Sequence, residues 1–230
     1  MIKFKNVTKI YCSVNSEQIT ALENVSFDIQ PKEFVSIVGK SGAGKTTLIK
    51  LLMGEEKLTS GEIFFDGINV SKIKPKELQE LRRRIGVVFQ DYKLLPTKTV
   101  YENVSYVMQV IGTSDIDIKR DIPQVLEMVG LDQRAFNFPC ELSGGEQQRL
   151  AIARALIHRP EVIIADEPTG NLDVYNTFEI VNLLKKIHNF GTTIILATHD
   201  KTIVDSLKKR VIALNEGKLI RDDHNGNFIF

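Results

Sequence analysis

A glycine-rich segment followed by lysine and threonine is the first stretch whose residue types and spacing could do chemistry. It has the spacing G-x-x-x-x-G-K-[ST], between an apolar strand-like run and a segment of helical periodicity. Such glycines let the backbone wrap around phosphate oxygens and aim N–H donors at them from a helix start. An ordinary glycine-rich turn is the alternative, which the complete pattern disfavours. The candidate nucleotide-binding residues are Gly39, Lys40, Ser41, Gly42, Ala43, Gly44, Lys45, Thr46 and Thr47.

Two side chains of this loop have the chemistry to act on a triphosphate. Lys45 would reach the β- and γ-phosphates, and the Thr46 hydroxyl would bind Mg²⁺. Lys45 is therefore a candidate catalytic residue as well as a binding one.

Two adjacent carboxylates follow the apolar run 162–165, which predicts a buried strand. Asp166, at the strand tip, would hold the Mg²⁺ shell. Glu167 would point to the opposite side and polarise the attacking water. A pair of solvated loop charges is the alternative, but the position at a strand tip in a chain with a phosphate loop favours catalysis.

His199 follows the last predicted buried strand, 193–197. A lone histidine is usually structural. Its place after a strand puts it beside the same phosphate edge, so contact with the γ-phosphate is favoured. His158, His188 and His224 lack such a context and receive no role.

The elements that must position these groups belong to an α/β protein. Alternating apolar and polar residues at Ile2–Val7 and Val25–Ile29 predict half-buried antiparallel strands, with an exposed hairpin loop at 13–18 between them. The apolar run at 33–38 predicts a buried central strand, and helical spacing at 46–53 predicts a helix after the glycine-rich turn.

The middle of the chain is predicted to be a helical insertion. Between about Tyr101 and Arg159, helical periodicity replaces β-branched runs, with short helices at 125–129 and 147–157. Beyond the strands already described, residues 211–220 predict a hairpin that turns at Glu216 and Gly217.

Composition and charge limit the classes of protein to which the chain can belong. The 230 residues are 43% hydrophobic and 26% charged, with a formal net charge of +1, which gives no electrostatic reason to expect nucleic acid as a partner. Cys12 and Cys140 lack metal-ligand spacing and are expected to be reduced thiols. With no apolar leader and no run of about eighteen apolar residues, we expect a soluble cytoplasmic chain that reaches a membrane only through a partner.

The basic run Arg82–Arg84 is interpreted as the solvated end of a helix at 78–84, near Glu77 and Glu80. Proximity to anionic lipid headgroups in a docked complex is a minor alternative.

A second glycine-containing motif resembles the signature of a known protein family. The segment Leu142-Ser143-Gly144-Gly145-Glu146-Gln147-Gln148-Arg149 resembles the signature of ABC transporter ATPases and opens a helix. Ser143, Gly144 and Gly145 offer a hydroxyl and backbone N–H groups at the positive end of that helix, which suits phosphate. Ser143 and Glu146 also fit a helix capping box, and the two roles are compatible.

Other motifs resemble that family in order and spacing. Gln90 matches the Q-loop, Asp173 in 171–173 lies where the D-loop lies, and His199 matches the switch histidine. Tyr11 lies where an aromatic ring stacks on adenine, a contact that would suit any purine. The resemblance makes Gln90 a further Mg²⁺ contact and catalytic residue.

The resemblance covers essentially the whole chain and implies its organisation. The fold would be a P-loop NTPase of the ABC type, with an α/β core and an antiparallel β subdomain at 1–90 and 160–230. An α-helical signature subdomain would span 91–159 within this single ATPase domain. The cofactors implied are ATP and Mg²⁺. The signature of one copy would close over the ATP of another, which implies a head-to-tail homodimer.

The subfamily is indicated by 89–96 and 99–104, which resemble the FtsE cell-division ATPases. In that family the membrane partner is FtsX, and the pair regulates cell-wall hydrolases. The segment 166–173 is shared with MacB-like exporters and lipoprotein-release (LolD-like) ATPases, so an exporter subunit is the alternative. A soluble DNA-repair or translation protein is disfavoured because those carry coiled-coil insertions or fused units.

The groove after the Q-loop, between Gln90 and Tyr101, is where the family receives its membrane partner. Tyr92, Leu94, Leu95 and Tyr101 are candidate apolar contacts. Burial in the core of the helical subdomain is the alternative for all four. The resemblance places the chain peripherally on the inner face of the plasma membrane.

Overall fold

Ten strands and seven α-helices occur in residues 1–12, 18–224 and 226, the part of the chain that the computed structural model describes. The loop predicted at 13–18 lies outside these residues except for Gln18, which begins a strand. The strands are β1 (Ile2–Cys12), β2 (Gln18–Ile29), β3 (Phe34–Val38), β4 (Ser60–Phe65), β5 (Ile68–Asn69), β6 (Ile85–Phe89), β7 (Val162–Asp166), β8 (Thr193–Thr198), β9 (Arg210–Asn215) and β10 (Lys218–Asp223). The helices are α1 (Lys45–Leu52), α2 (Pro75–Arg83), α3 (Val100–Val110), α4 (Asp115–Met128), α5 (Gly144–Leu156), α6 (Val174–Asn189) and α7 (Lys201–Leu207).

The described residues form two compact units. The first unit combines Met1–Arg82 with the chain from Thr193 onward, and the second is Arg83–Thr192. The predicted helical segment 91–159 falls within the second unit, together with β6, β7 and α6. The division into subdomains at 91 and 159 stays a prediction.

An antiparallel sheet in the first unit has the strand order β2-β1-β4-β5. Its pattern buries Ile2 and Phe4 and exposes Lys3 and Lys5, as the sequence predicts, and a register shift between Phe4 and Val7 brings Val7 to the buried side as well. Side chains alternate between the two faces of a strand, so one face of β1 packs on the core.

A parallel arrangement in the first unit places β3 between β8 and β9. Every residue of β3 and β8 is buried, in agreement with their unbroken apolar runs. Val38 lies beside Thr198 and Ala213 in the register, so the three strands end at one edge. Antiparallel β10 completes the hairpin with β9, turning at Glu216 and Gly217 as predicted.

The second unit contains a parallel pair, β6 and β7, and the helices α3 to α6. Phe89 lies beside Asp166 in the register of that pair, so Gln90 and Glu167 both follow strand ends at one edge.

Side-chain caps start the helices of this unit. Thr99, Ser114, Ser143 and Asp173 each accept a hydrogen bond from a backbone N–H three residues onward. Each such cap stabilises a helix by about 1 kcal/mol. The start of α5 at Gly144 is therefore earlier than the predicted 147.

The structure corrects two expectations about helices, one in its start and the other in its contacts. The short helix predicted at 125–129 is the last part of α4, which begins at Asp115 under the Ser114 cap and contains Pro123. The basic run is also not simply a solvated helix end. Arg82 donates from Nε to the Met53 carbonyl at 3.0 Å, and Arg84 pairs with Glu161 at 2.6 Å.

No helix among the described residues is both long and apolar enough to cross a lipid bilayer.

Candidate functional site

The glycine-rich loop of the first unit leaves β3 and enters α1 with a lysine turned back into it. Lys45 is buried, and its Nζ donates to the carbonyl oxygens of Gly39 at 2.7 Å and Lys40 at 3.3 Å. The carbonyls hold the ammonium group at the centre of the loop. Lys40, Ser41, Gly42 and Thr46 are exposed around it.

Close backbone contacts explain two of the glycines in this loop. A Cβ on Gly44, whose φ is +103°, would lie 2.6 Å from the Ala21 carbonyl oxygen. A Cβ on Gly39 would lie 2.6 Å from the Leu214 carbonyl oxygen and 2.8 Å from the Ala43 Cβ. Neither position accepts a side chain, so the loop presents backbone N–H groups without obstruction. This geometry fits a phosphate group.

The predicted adenine-stacking residue lies on β1 of the same unit. Lys9 places its Nζ 4.5 Å from the centre of the Tyr11 ring. Glu56 Oε2 and the Lys57 carbonyl each accept a hydrogen bond from that Nζ at 2.9 Å. A purine would therefore stack on the ring face opposite Lys9. His199, exposed, directly follows β8 at the edge where β3 also ends.

Gln90 is held by Asn171, the first residue of the predicted D-loop, within the second unit. Asn171 Nδ2 donates to the Gln90 carbonyl oxygen at 3.2 Å, and Gln90 Nε2 lies 3.4 Å from Asn171 Oδ1. A Cβ on Gly170 would lie 2.7 Å from Gln90 Nε2. The contact of Asn171 with Gln90 could not be predicted from local patterns, because the two residues are eighty-one positions apart.

The two carboxylates at the end of β7 differ in backbone conformation. Asp166 is the last strand residue, whereas Glu167 has φ +48°, in the left-handed region. Such a conformation costs a residue other than glycine about 1 kcal/mol and is often found at functional sites. The backbone turns abruptly between the two residues, as expected if their side chains diverge.

The signature segment starts α5 with a complete capping box. Ser143 Oγ accepts from the Glu146 N–H at 3.3 Å, and Glu146 Oε2 accepts from the Ser143 N–H at 2.8 Å. The second of these bonds holds the pKa of the Glu146 carboxyl below its usual range. Ser143 and Gly144 are exposed, so the capped helix start faces outward.

Three predicted motifs meet inside the second unit. A Cβ on Gly145 would overlap Asn176 Oδ1, and a Cβ on Gly144 would lie 3.3 Å from the Tyr92 hydroxyl. Asn176 donates from its backbone N–H to Asp173 Oδ1 at 2.8 Å and from Nδ2 to Oδ2 at 2.6 Å. These bonds lower the pKa of the Asp173 carboxyl.

Sequence reasoning missed Asn176. Its position three residues after the Asp173 helix cap was the available signal, because an Asp at the N-cap bonds the third helical N–H.

The groove candidates are not core residues. Tyr92, Leu94, Leu95 and Tyr101 are all half-buried. Arg154 Nη1 donates to the Lys93 carbonyl oxygen at 2.5 Å, and the buried Asn103 donates to the Leu95 carbonyl at 3.1 Å. The segment between them is therefore fixed by its backbone, and its side chains stay partly accessible.

The oxygen donors predicted for Mg²⁺ are a hydroxyl on Thr46, an amide on Gln90 and a carboxylate on Asp166. These hard oxygen ligands fit Mg²⁺, which usually keeps several waters and takes few protein ligands.

Comparisons with known proteins agree with these motifs. A family model described as ABC transporter matches residues 22–170. The cell division ATP-binding protein FtsE of Streptococcus pneumoniae serotype 2 (strain D39) is 52% identical over 228 residues, which cover 99% of this chain and 97% of that protein. The FtsE protein of Bacillus subtilis (strain 168) is 48% identical, over 99% of this chain and 98% of that protein. The FtsE protein of Escherichia coli (strain K12) is 43% identical, over 95% of this chain and 97% of that protein.

Solved structures of one ABC cassette, MJ0796, share the fold. Its dimeric post-hydrolysis state bound to ADP and Pi superimposes with a TM-score of 0.87 at 38% identity, covering 99% of this chain and all of that one. A second dimeric structure of MJ0796, described as a bacterial ABC transporter cassette, gives 0.88 at 39% identity over the same shares.

Proposed function

Because the chain belongs to the ABC transporter family of ATPases, which bind ATP with Mg²⁺, we propose that it is the energy-converting subunit of a cell-division complex. It pairs head to tail with a second copy on ATP and drives a conformational change in a membrane partner. The observation that carries this proposal is the coexistence of a complete phosphate loop at 39–46 and an outward-facing signature at 143–146 in one chain.

The first unit supplies the residues that hold the nucleotide. Lys45 leaves the Gly39 and Lys40 carbonyls and pairs with the β- and γ-phosphates, while the loop N–H groups surround them. Tyr11 stacks on the base, and His199 contacts the γ-phosphate. Thr47 and the remaining loop residues complete the binding set.

Three residues of the second unit, together with Thr46 of the first, are assigned to act on water and metal. Glu167 accepts a proton from the attacking water, and Asp166, Gln90 and Thr46 would hold the Mg²⁺ shell. When bound, Mg²⁺ neutralises charge that develops on the phosphate oxygens. Asn171 holds Gln90 in place for this contact.

The orientation of the signature supports the proposed dimer. Ser143 and Gly144 expose a hydroxyl and the positive end of α5, which suits an anion brought by another molecule. The two MJ0796 structures are described as dimeric. Asp173, bonded to Asn176 beside Gly145, ties the D-loop to this surface.

The membrane partner is FtsX-like, and the complex regulates cell-wall hydrolysis during division. Relatives named FtsE, matched over nearly their full length at 43–52% identity, support this over an exporter. The groove between Gln90 and Tyr101 receives the partner, and the chain sits peripherally on the inner face of the plasma membrane through it.

Substitution of Ser143 separates its two roles. Ser143→Asp keeps a good helix cap but puts a negative charge where the partner's γ-phosphate binds. We expect ATP hydrolysis reduced by about tenfold or more and a modest loss of thermal stability, because the new carboxylate replaces a hydroxyl that donates to Glu146 at 2.9 Å. Ser143→Ala loses the cap and about 1 kcal/mol of stability. Normal hydrolysis by the folded Ser143→Asp protein, measured as phosphate release, would leave the segment a helix cap only.

Charged substitutions in the groove between Gln90 and Tyr101 test whether this groove binds the membrane partner. Leu94→Glu and Leu95→Glu are expected to abolish co-purification with a co-expressed FtsX-like membrane protein, because a carboxylate cannot enter an apolar contact without losing its hydration. Ile116→Glu, a matched change at an exposed position on α4, should bind normally. Undiminished co-purification of both groove variants would place the partner elsewhere on the chain.

A further inference from the structure

The turn of the C-terminal hairpin packs against the phosphate loop. Glu216 and Gly217 form the two-residue turn between β9 and β10, with φ of +48° and +76°. The Gly217 N–H donates to the Ala43 carbonyl oxygen at 3.2 Å, and the Gly217 carbonyl accepts from the Glu23 N–H at 2.8 Å. The turn thus joins β2 to the loop.

One carbonyl group lies between two glycines from distant parts of the chain. The Ala21 carbonyl oxygen would be 2.7 Å from a Cβ on Gly217 and 2.6 Å from a Cβ on Gly44. Real Cβ atoms essentially never approach an oxygen so closely, so both positions require glycine. A side chain at 217 would displace this carbonyl, which also lies against Gly44.

The hairpin also contacts the beginning of the loop. The Leu214 carbonyl oxygen, on β9, would be 2.6 Å from a Cβ on Gly39. Lys218, on β10, pairs with Glu23 of β2 at 3.3 Å. The same hairpin therefore restrains both ends of the glycine-rich segment and the strand beside it.

Because the peptide group is planar, the hydrogen bond from Gly217 to Ala43 also orients a backbone donor of the phosphate loop. In a trans peptide the carbonyl of one residue and the N–H of the next point in opposite directions. The hydrogen bond from Gly217 to the Ala43 carbonyl therefore fixes the direction of the Gly44 N–H. That N–H belongs to the set that the loop presents to phosphate.

We propose that the β9–β10 hairpin sets the conformation of the phosphate loop, with Gly217 as a positioning residue for ATP. This inference rests on the proposed function, in which residues 39–46 hold the triphosphate. The link continues to the base, because β2 pairs with β1, where Tyr11 lies opposite Ile19. The hairpin thus contacts the phosphate loop directly and is connected through β2 to the strand that carries Tyr11.

The chain contains a matched control for Gly217. Asp66 and Gly67 form the turn between β4 and β5, with φ of +52° and +82°, close to the values of the Glu216–Gly217 turn. A Cβ on Gly67 would meet nothing within 4 Å. Substitution of either glycine strains the backbone similarly, but only the substitution at Gly217 disturbs the loop.

The experiment compares Gly217→Ala with Gly67→Ala by ATP affinity, the KM and kcat of hydrolysis, and thermal unfolding. We expect the Kd and KM for ATP to rise about tenfold in Gly217→Ala, because small misplacements of binding groups have large effects. Gly67→Ala should match the wild type. Gly217→Asn and Gly67→Asn form a second pair, since asparagine tolerates left-handed backbone better.

Equal ATP affinity in the Gly217 and Gly67 variants would overturn the proposal, as would equal losses in both. Failure of both Gly217 variants to fold, while both Gly67 variants fold, would also overturn it in favour of a purely architectural role. An inability of the wild type to bind ATP would contradict the proposed function itself, which distinguishes the two failures.

Discussion

Lys45→Ala is expected to lower kcat/KM for ATP hydrolysis by about a hundredfold to a thousandfold, the usual effect of removing one preorganised donor from developing charge. The lysine is buried within the loop, where the Gly39 and Lys40 carbonyls hold its ammonium group close to the phosphate position. No neighbouring side chain of the loop carries a charge at that point except Lys40, which is exposed.

Lys50→Ala is the matched control for this change, since Lys50 is exposed on the same helix, α1. Phosphate release at saturating and limiting ATP separates the effects on kcat and KM. Thermal unfolding shows whether the loop variant stays folded. A Lys45→Ala protein that is folded and hydrolyses ATP within tenfold of the wild type would refute the assignment of the loop.

Glu167→Gln is expected to reduce hydrolysis by about a thousandfold while ATP still binds, because an amide cannot accept the proton of the attacking water. The change preserves shape, and glutamine meets the same left-handed backbone constraint at φ +48°. ATP-bound copies that cannot hydrolyse should accumulate as dimers, since the nucleotide would join the two subunits.

Phosphate release and light scattering with saturating ATP measure the two consequences of Glu167→Gln. Glu179→Gln, at an exposed position on α6, is the control and should behave as the wild type. A Glu167→Gln protein that hydrolyses normally would remove the carboxylate from the mechanism. One that stays monomeric with ATP bound would count against the ATP-dependent dimer.

Local patterns predicted the strands that precede the catalytic candidates. The apolar runs before Gly39, Asp166 and His199 are buried strands, because residues buried on both faces leave no polar alternation. The capping box at Ser143 and Glu146 was also visible, since its two partners lie three residues apart.

Contacts between distant segments were not predictable from the sequence. Asn176 against Gly145, Asn171 against Gln90 and Gly217 against Ala43 all depend on where the folded elements meet. Each of these residues also has an ordinary local role, at a helix start, in a loop or in a turn. Only the fold shows that these residues also support the candidate site.

Two interpretations of local patterns were incomplete. The 125–129 segment looked like a short helix, but the cap at Ser114 extends α4 through Pro123. Arg82 looked solvated, yet it satisfies the Met53 carbonyl at the end of α1. In both cases a hydrogen bond of a polar side chain outside the apolar periodicity determines the observed structure.

The claim that one active site is built from two copies is tested most directly by mixing two inactive proteins. Lys45→Ala lacks the phosphate contact and Ser143→Asp lacks a working signature. In a head-to-tail dimer, each mixed pair contains one site with an intact Lys45 and an intact Ser143 from different copies. An equal mixture should therefore recover about a quarter of wild-type ATP hydrolysis, because about half the dimers are mixed and each has one intact site. A mixture no more active than its separate components would contradict the composite site.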